Sequence, residues 1–156
     1  MKEIKFRAKD RNGNWVYGLV TIVDCDNENN NTYAIVNDYC ELDNIKFCGD
    51  GKVVYKPNTI IVDPNTIGQF TRLADKNGKE IYEGDIVKYS DIIGTVCFGE
   101  YGDYDYGYYI KWKQDIHWLS NKILAFIKYY SDETEVMGNI YETAQLLKEK
   151  ENNKNE

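Results

Sequence analysis

Residues 75–89 read DKNGKEIYEGDIVKY, and residues 10–20 read DRNGNWVYGLV. Both run Asp, a basic residue, Asn-Gly, two further residues, a β-branched residue and Tyr, with Gly one or two places on. Asn-Gly between extended runs signals a hairpin with a two-residue loop, because a type I′ turn needs positive φ at both central positions and these two residues tolerate it best. The expectation is two hairpins, over 2–22 and 67–90, with Asn12-Gly13 and Asn77-Gly78 at their tips. Around the first tip, Ile4, Phe6 and Ala8 alternate with charged residues, and Trp15, Tyr17 and Leu19 alternate after the turn, as a half-buried strand pair requires. Around the second, Ile67, Phe70 and Leu73 precede the turn, and Ile81, Tyr82, Ile86 and Val87 follow it. Gly18 and Gly84 mark bulges or bends in the outgoing strands. A phosphate cradle would need closer glycines leading into a helix, and here strands follow.

The chain has 156 residues, 42% hydrophobic and 14% aromatic, enough to bury the core of one ordinary domain or two small ones. Fourteen tyrosines against two prolines favour sheet over helix. A formal net charge of −7 argues against a general electrostatic grip on nucleic acid, while leaving room for a local basic patch. The opening MKEIKFRAKD has no apolar run of signal-peptide type, and nothing downstream approaches the roughly 20 apolar residues of a membrane span, so a cytoplasmic protein is expected, in the host cell. Cys25, Cys40, Cys48 and Cys97 are widely spaced with no Cys-x-x-Cys, and His117 is the single histidine. No metal site, cofactor or disulfide is expected from that spacing, and Cys97 in GTVCF reads as a core thiol. DCDNENNN at 24–31 has acidic residues in a row, but it lacks the glycine and the closing glutamate of a calcium loop.

Extended runs follow at TYAIV (32–36), KVVY (52–55) and TIIV (59–62), and Pro57 and Pro64 mark a domain boundary. Beyond it, DIVKY, GTVCF, YYIKWK, ILAFIKYY and VMGNI are five short strands separated by turn-rich segments. The fold expected is mainly β: an N-terminal β-rich unit over 1–64, then over 65–150 a hairpin, a small SH3-like antiparallel barrel and a short helix at 142–149, with a frayed tail at 151–156.

Three blocks, MKEIKFRAKD, TIGQFTRLADKNGKEIYEGDIVK and EVMGNIYETAQLL, stand in order along nearly the whole chain. Together they resemble the YopX family of phage and prophage proteins. The resemblance implies a β-rich fold with an N-terminal unit and a barrel-like C-terminal unit. It implies no activity, and no catalytic residue is carried over from it.

The most unusual stretch is FGEYGDYDYGYYIKWK, 98–113. Period-two alternation puts Tyr104, Tyr106, Tyr108, Ile110 and Trp112 on one face and Asp105, Gly107, Tyr109, Lys111 and Lys113 on the other. Tyr108, Ile110 and Trp112 read as core. Tyr101, Asp103, Tyr104, Asp105 and Tyr106 read as a partner-binding loop, since tyrosine offers a large contact area at low entropic cost and the interleaved acids suit a cationic or proline-rich segment. Asp115, His117 and Ser120 superficially suggest a triad, but residues so close in sequence do not converge on one reacting atom. The chain is therefore read as a non-catalytic binding module that engages a host or phage protein through its barrel loops. The alternative is a nucleic-acid-associated factor using Lys111, Trp112, Lys113 and Lys122. The excess of aromatic side chains in YYIKWK and ILAFIKYY further suggests a homo-oligomer, with Tyr109, Trp118 and Tyr130 at the interface.

Overall fold

The computed structural model describes residues 4–24, 32–37, 45–47, 53–55, 58–101, 105–113 and 133–142. The predicted strand at 123–130, His117, Trp118, Lys122, Tyr130, Cys25, Cys40, Cys48 and the helix beyond Glu142 lie outside the described residues. What is described is almost entirely antiparallel β-structure, divided into a unit of residues 1–69 and a unit of residues 70–156. No helix among the described residues is long and apolar enough to cross a membrane.

In the first unit, β1 (Phe6–Lys9), β2 (Trp15–Asp24), β3 (Thr32–Asn37) and β6 (Asn58–Ile61) form a sheet in the order β6-β3-β2-β1, and the first residues of β7 (Gly68–Ala74) pair with β1. A separate ribbon joins β4 (Ile45–Phe47) to β5 (Val53–Tyr55). Pro64 does not break the unit. It opens a 3-10 turn, Pro64–Thr66, whose Thr66 hydroxyl accepts from the Lys9 backbone N–H at 2.8 Å and so ties the turn to β1. Ala8, Ile35 and Val62 are the buried centre, with Val16, Val20, Tyr33 and Ile67 packed around them.

In the second unit, the rest of β7 pairs with β8 (Glu80–Tyr82), and β9 (Asp85–Tyr89), β10 (Ile92–Tyr101), β11 (Asp105–Trp112) and β12 (Thr134–Asn139) form a sheet in the order β11-β10-β9-β12. Its core is Ile81, Val87, Val96, Ile110 and Val136, against which Leu73, Tyr89, Ile92, Tyr108 and Trp112 pack. The expected core roles of Tyr108, Ile110 and Trp112 match this cluster. Helical residues begin at Ile140, where the Asn139 side-chain oxygen accepts from the backbone N–H groups of Tyr141 and Glu142, an N-cap of ordinary kind.

Both Asn-Gly tips are hairpin turns, but not of the expected type. Asp10 N–H donates to Asn14 O at 2.9 Å and Gly13 N–H to Asp10 O at 3.0 Å, and the second tip repeats this with Asp75, Lys79 and Gly78, both bonds at 2.9 Å. Gly13 and Gly78 have φ of 81° and 77°, whereas Asn12 and Asn77 do not enter the positive-φ region. Each is therefore a three-residue loop, a turn followed by a left-handed glycine, rather than a type I′ pair. The reason is the leading aspartate. Its Oδ1 accepts from the N–H two residues on and again four residues on, at 2.8 Å each for Asp10 and at 2.8 and 2.9 Å for Asp75, which holds the longer loop closed.

The extra loop residue changes which side chains face inward. A two-residue loop would set Ala8 opposite Tyr17; the observed register sets Ala8 opposite Val16 and Lys9 opposite Trp15. A one-residue slip turns every side chain to the other face. Val16 and Val20 thus join the core, while Trp15, Tyr17 and Leu19 share the opposite face with Lys5, Arg7 and Lys9. Gly84, expected as a bend within the outgoing strand, sits instead in the Glu83-Gly84 turn between β8 and β9, where its N–H donates to Val96 O at 2.9 Å.

Candidate functional site

β10 and β11 pair from Gly94↔Trp112 to Tyr101↔Asp105 without a register break, so the hairpin's residues fall on two well-defined faces. The Gly99↔Gly107 pair divides it. On the strand-root side of that pair, Val96 and Ile110 belong to the core, and the Trp112 ring lies where a side chain at Gly94 would otherwise stand. Around and beyond that pair the hairpin carries rings rather than aliphatic side chains.

One face holds Phe98, Tyr106 and Tyr108. The Phe98 ring centroid lies 4.9 Å from that of Tyr108 and 5.3 Å from that of Tyr106, the latter edge-on. Such offset and edge contacts are the favoured aromatic geometries. Phe98 is 42% exposed and Tyr106 69% exposed, so the cluster runs from the core out into solvent. Tyr108 is its inner member. Its hydroxyl lies 3.5 Å from Phe70 O, a long and weak hydrogen bond, and burial, with the Glu83 carboxylate adding to it and Arg72 opposing, pushes its pKa up to about 12. The phenol therefore stays protonated across the physiological range.

The other face holds Cys97, Tyr101 and Tyr109. Tyr101 and Tyr109 stack with centroids 5.3 Å apart and planes 28° apart, flanking the glycine pair that the register places between them. Burial pushes the Cys97 thiol up, against the pull of its Tyr109 hydrogen bond, so it stays protonated and is a poor nucleophile. It is half-buried rather than a core thiol. Burial likewise raises Tyr109, with Cys97 contributing.

Of the residues expected to bind a partner, Tyr101, Asp105 and Tyr106 are described, and Asp103 and Tyr104 lie outside the described residues. Tyr106 and Asp105 are exposed, and Tyr101 belongs to the face opposite Tyr106, turned toward Tyr109. Phe98 was assigned no role from sequence, yet it touches both Tyr106 and Tyr108. It becomes visible only once Tyr101↔Asp105 is known as the closing pair. Glu100 and Asp105 are exposed beside the rings, so the tip is acidic. Of the interface residues expected, Tyr109 is half-buried against Tyr101, while Trp118 and Tyr130 lie outside the described residues. Lys111 and Lys113 are exposed, but Trp112 turns to the core, so the three do not form one face.

A groove of about 410 Å³ is lined by Lys76, Lys88, Ser90, Glu133 and Glu135. Its charges are mutually paired in part, with Lys76 Nζ 2.5 Å from the Glu135 carboxylate. No group of three or more His, Cys, Asp or Glu that could hold a metal ion occurs among the described residues.

The family model described as YopX protein matches residues 5–148 of this chain. Among solved structures, the chain is similar to the crystal structure of protein EF1440 from Enterococcus faecalis, with 29% sequence identity, 93% of this chain and 98% of that one covered, and a TM-score of 0.50. No curated protein matches.

Proposed function

The chain belongs to the YopX protein family, and we propose that it acts as a phage- or prophage-type, non-catalytic binding module in the host cytoplasm, engaging a host or phage protein through the end of the β10–β11 hairpin. One observation carries this reading: Phe98 and Tyr106 hold their rings out at 42% and 69% exposure on the face that also carries the exposed Glu100, with Asp105 exposed at the same end of the hairpin on its other face. Ring faces with neighbouring acids suit a cationic segment, because the quadrupole of each ring and the full charge of each carboxylate attract the same ammonium or guanidinium group. The rigid antiparallel pairing behind the rings limits the ordering cost of binding. We further assign the C-terminal unit to the SH3-like class of small barrels, whose loops commonly carry recognition.

The test is the binding of a fluorescent Lys/Arg-rich peptide to the whole protein, read by anisotropy. Tyr106→Ala and Glu100→Lys should each weaken binding about tenfold, in line with one lost aromatic or charge contact of roughly 1.4 kcal/mol. Equal affinity for the wild type and the Phe98→Ala/Tyr106→Ala variant would remove this hairpin from the argument.

A further inference from the structure

We propose that the β1–β2 face of the first unit is a second binding surface, one that takes single-stranded nucleic acid. The three-residue Asp10–Asn14 loop is what builds it. By setting Arg7 opposite Tyr17 and Lys9 opposite Trp15, it gathers Lys5, Arg7 and Lys9 on the same side of the sheet as Trp15, Tyr17 and Leu19. The cations and rings are interleaved in contact: Lys5 Nζ lies 5.6 Å from the Tyr17 ring centroid, and the Arg7 guanidinium carbon and Lys9 Nζ lie 4.7 and 5.2 Å from that of Trp15.

The residues divide the work. Arg7 is 6% exposed, so it serves as the fixed support under the Trp15 ring rather than as a contact to a partner. Lys5 and Lys9 stand on either side of it, about 13 Å apart at the rise of an extended strand, and Arg11 continues the stripe into the exposed turn. Tyr17 and Leu19 are 41% and 42% exposed and offer apolar area between the charges. A positive stripe along one strand with aromatic rings beside it is the arrangement on which unpaired bases stack while phosphates meet Lys and Arg. Paired bases have no free faces for such rings, which selects a single strand over a duplex.

Charge is segregated to match. Residues 1–22 hold five basic side chains (Lys2, Lys5, Arg7, Lys9, Arg11) and two acidic ones (Glu3, Asp10), a net of +3 within a chain of −7, so residues 23–156 carry −10. The acidic remainder repels a polyanion and leaves this face as the place where it is tolerated.

Anisotropy of a labelled twenty-nucleotide oligothymidine with the whole protein tests the proposal. Binding should appear at low salt and weaken as salt rises. Lys5→Gln/Lys9→Gln should flatten the log–log salt slope by about 1.4, at roughly 0.7 per lost single-strand phosphate contact. Tyr17→Ala, at an exposed position, should cost roughly five- to a hundredfold in affinity from lost stacking. Circular dichroism unchanged from wild type checks that each variant is folded. Four results would overturn the assignment: no binding at low salt, folded variants that bind like wild type, loss confined to Lys111→Gln/Lys113→Gln, or tighter binding of a polyglutamate peptide of equal charge than of the oligonucleotide.

Discussion

Asp10 and Asp75 occupy equivalent places in the repeated phrase, yet their surroundings set different consequences. Among the described residues, Asp10 accepts only from its own loop. Asp75 closes its loop with Oδ1 and uses Oδ2 to accept from Val136 N–H at 3.0 Å, while Lys76 N–H donates to Thr134 O at 2.9 Å, so the hairpin tip is fastened to β12. Burial pushes the Asp75 pKa up, but the N–H donors of Val136, Lys79 and Asn77 outweigh it and hold the group below its ordinary 3.8. A depressed carboxylate stabilises the fold above its unfolded pKa and loses that contribution as pH falls through the folded one, so this part of the stability is intact at neutral pH and fades below about pH 4. Asp75→Asn should lower the urea midpoint by the equivalent of about 1–3 kcal/mol, since an amide group now faces buried N–H donors; Asp10→Asn should move it much less. Tyr108 works in the opposite direction. With its pKa raised from 10.0 to about 12, chiefly by burial, its contribution is full below pH 10 and lost as pH rises toward 12. An ultraviolet titration should show a late tyrosinate step that disappears in Tyr108→Phe; the same late step in the variant would assign it to another phenol.

At the level of the elements, hairpins were legible at both Asn-Gly tips because glycine at positive φ is a local demand. Loop length was not, because it depends on a carboxylate folding back onto two backbone donors. That single residue of loop moved Val16 into the core and Trp15 and Tyr17 out of it. The β10–β11 hairpin shows the same division. Its alternation was readable, and Tyr108, Ile110 and Trp112 are where the period placed them. The partner of Gly94 was not readable from sequence: a Cβ there would stand 2.4 Å from Ile110 Cγ2 and 2.7 Å from Trp112 Cε3. Gly94→Ala should therefore destabilise the protein by about 1–3 kcal/mol, the range for overpacking a filled core, measured as a fall in urea midpoint with an unchanged slope. A neutral result would mean that the Trp112 ring swings away at little expense.

For the whole molecule, the aromatic surface that remains uncovered bears on assembly. Within the second unit, Tyr109 is only half-buried although it stacks on Tyr101 in its own chain, and Met137 and Ile140 are 56% and 41% exposed. A symmetric dimer is the simplest cover for a self-complementary patch. Light scattering at micromolar concentration should give twice the chain mass of 18.2 kDa. A mass near 18.2 kDa itself would leave these side chains for a different partner.

The β class, the two turn sites and the aromatic, acidic character of the 98–113 stretch followed from residue order alone, because alternation, turn chemistry and composition are properties of neighbours in the chain. Which face each ring occupies did not follow. Facing depends on strand register, and register depends on loop closure and on bulges, which are settled by how side chains fold back onto the backbone in three dimensions, as Asp10 does onto the N–H groups of Asn12 and Asn14. For that reason the acids and tyrosines of the hairpin could be named in advance, while Phe98 between Tyr106 and Tyr108 and the cation–aromatic ladder of β1 and β2 emerged only from the tertiary structure.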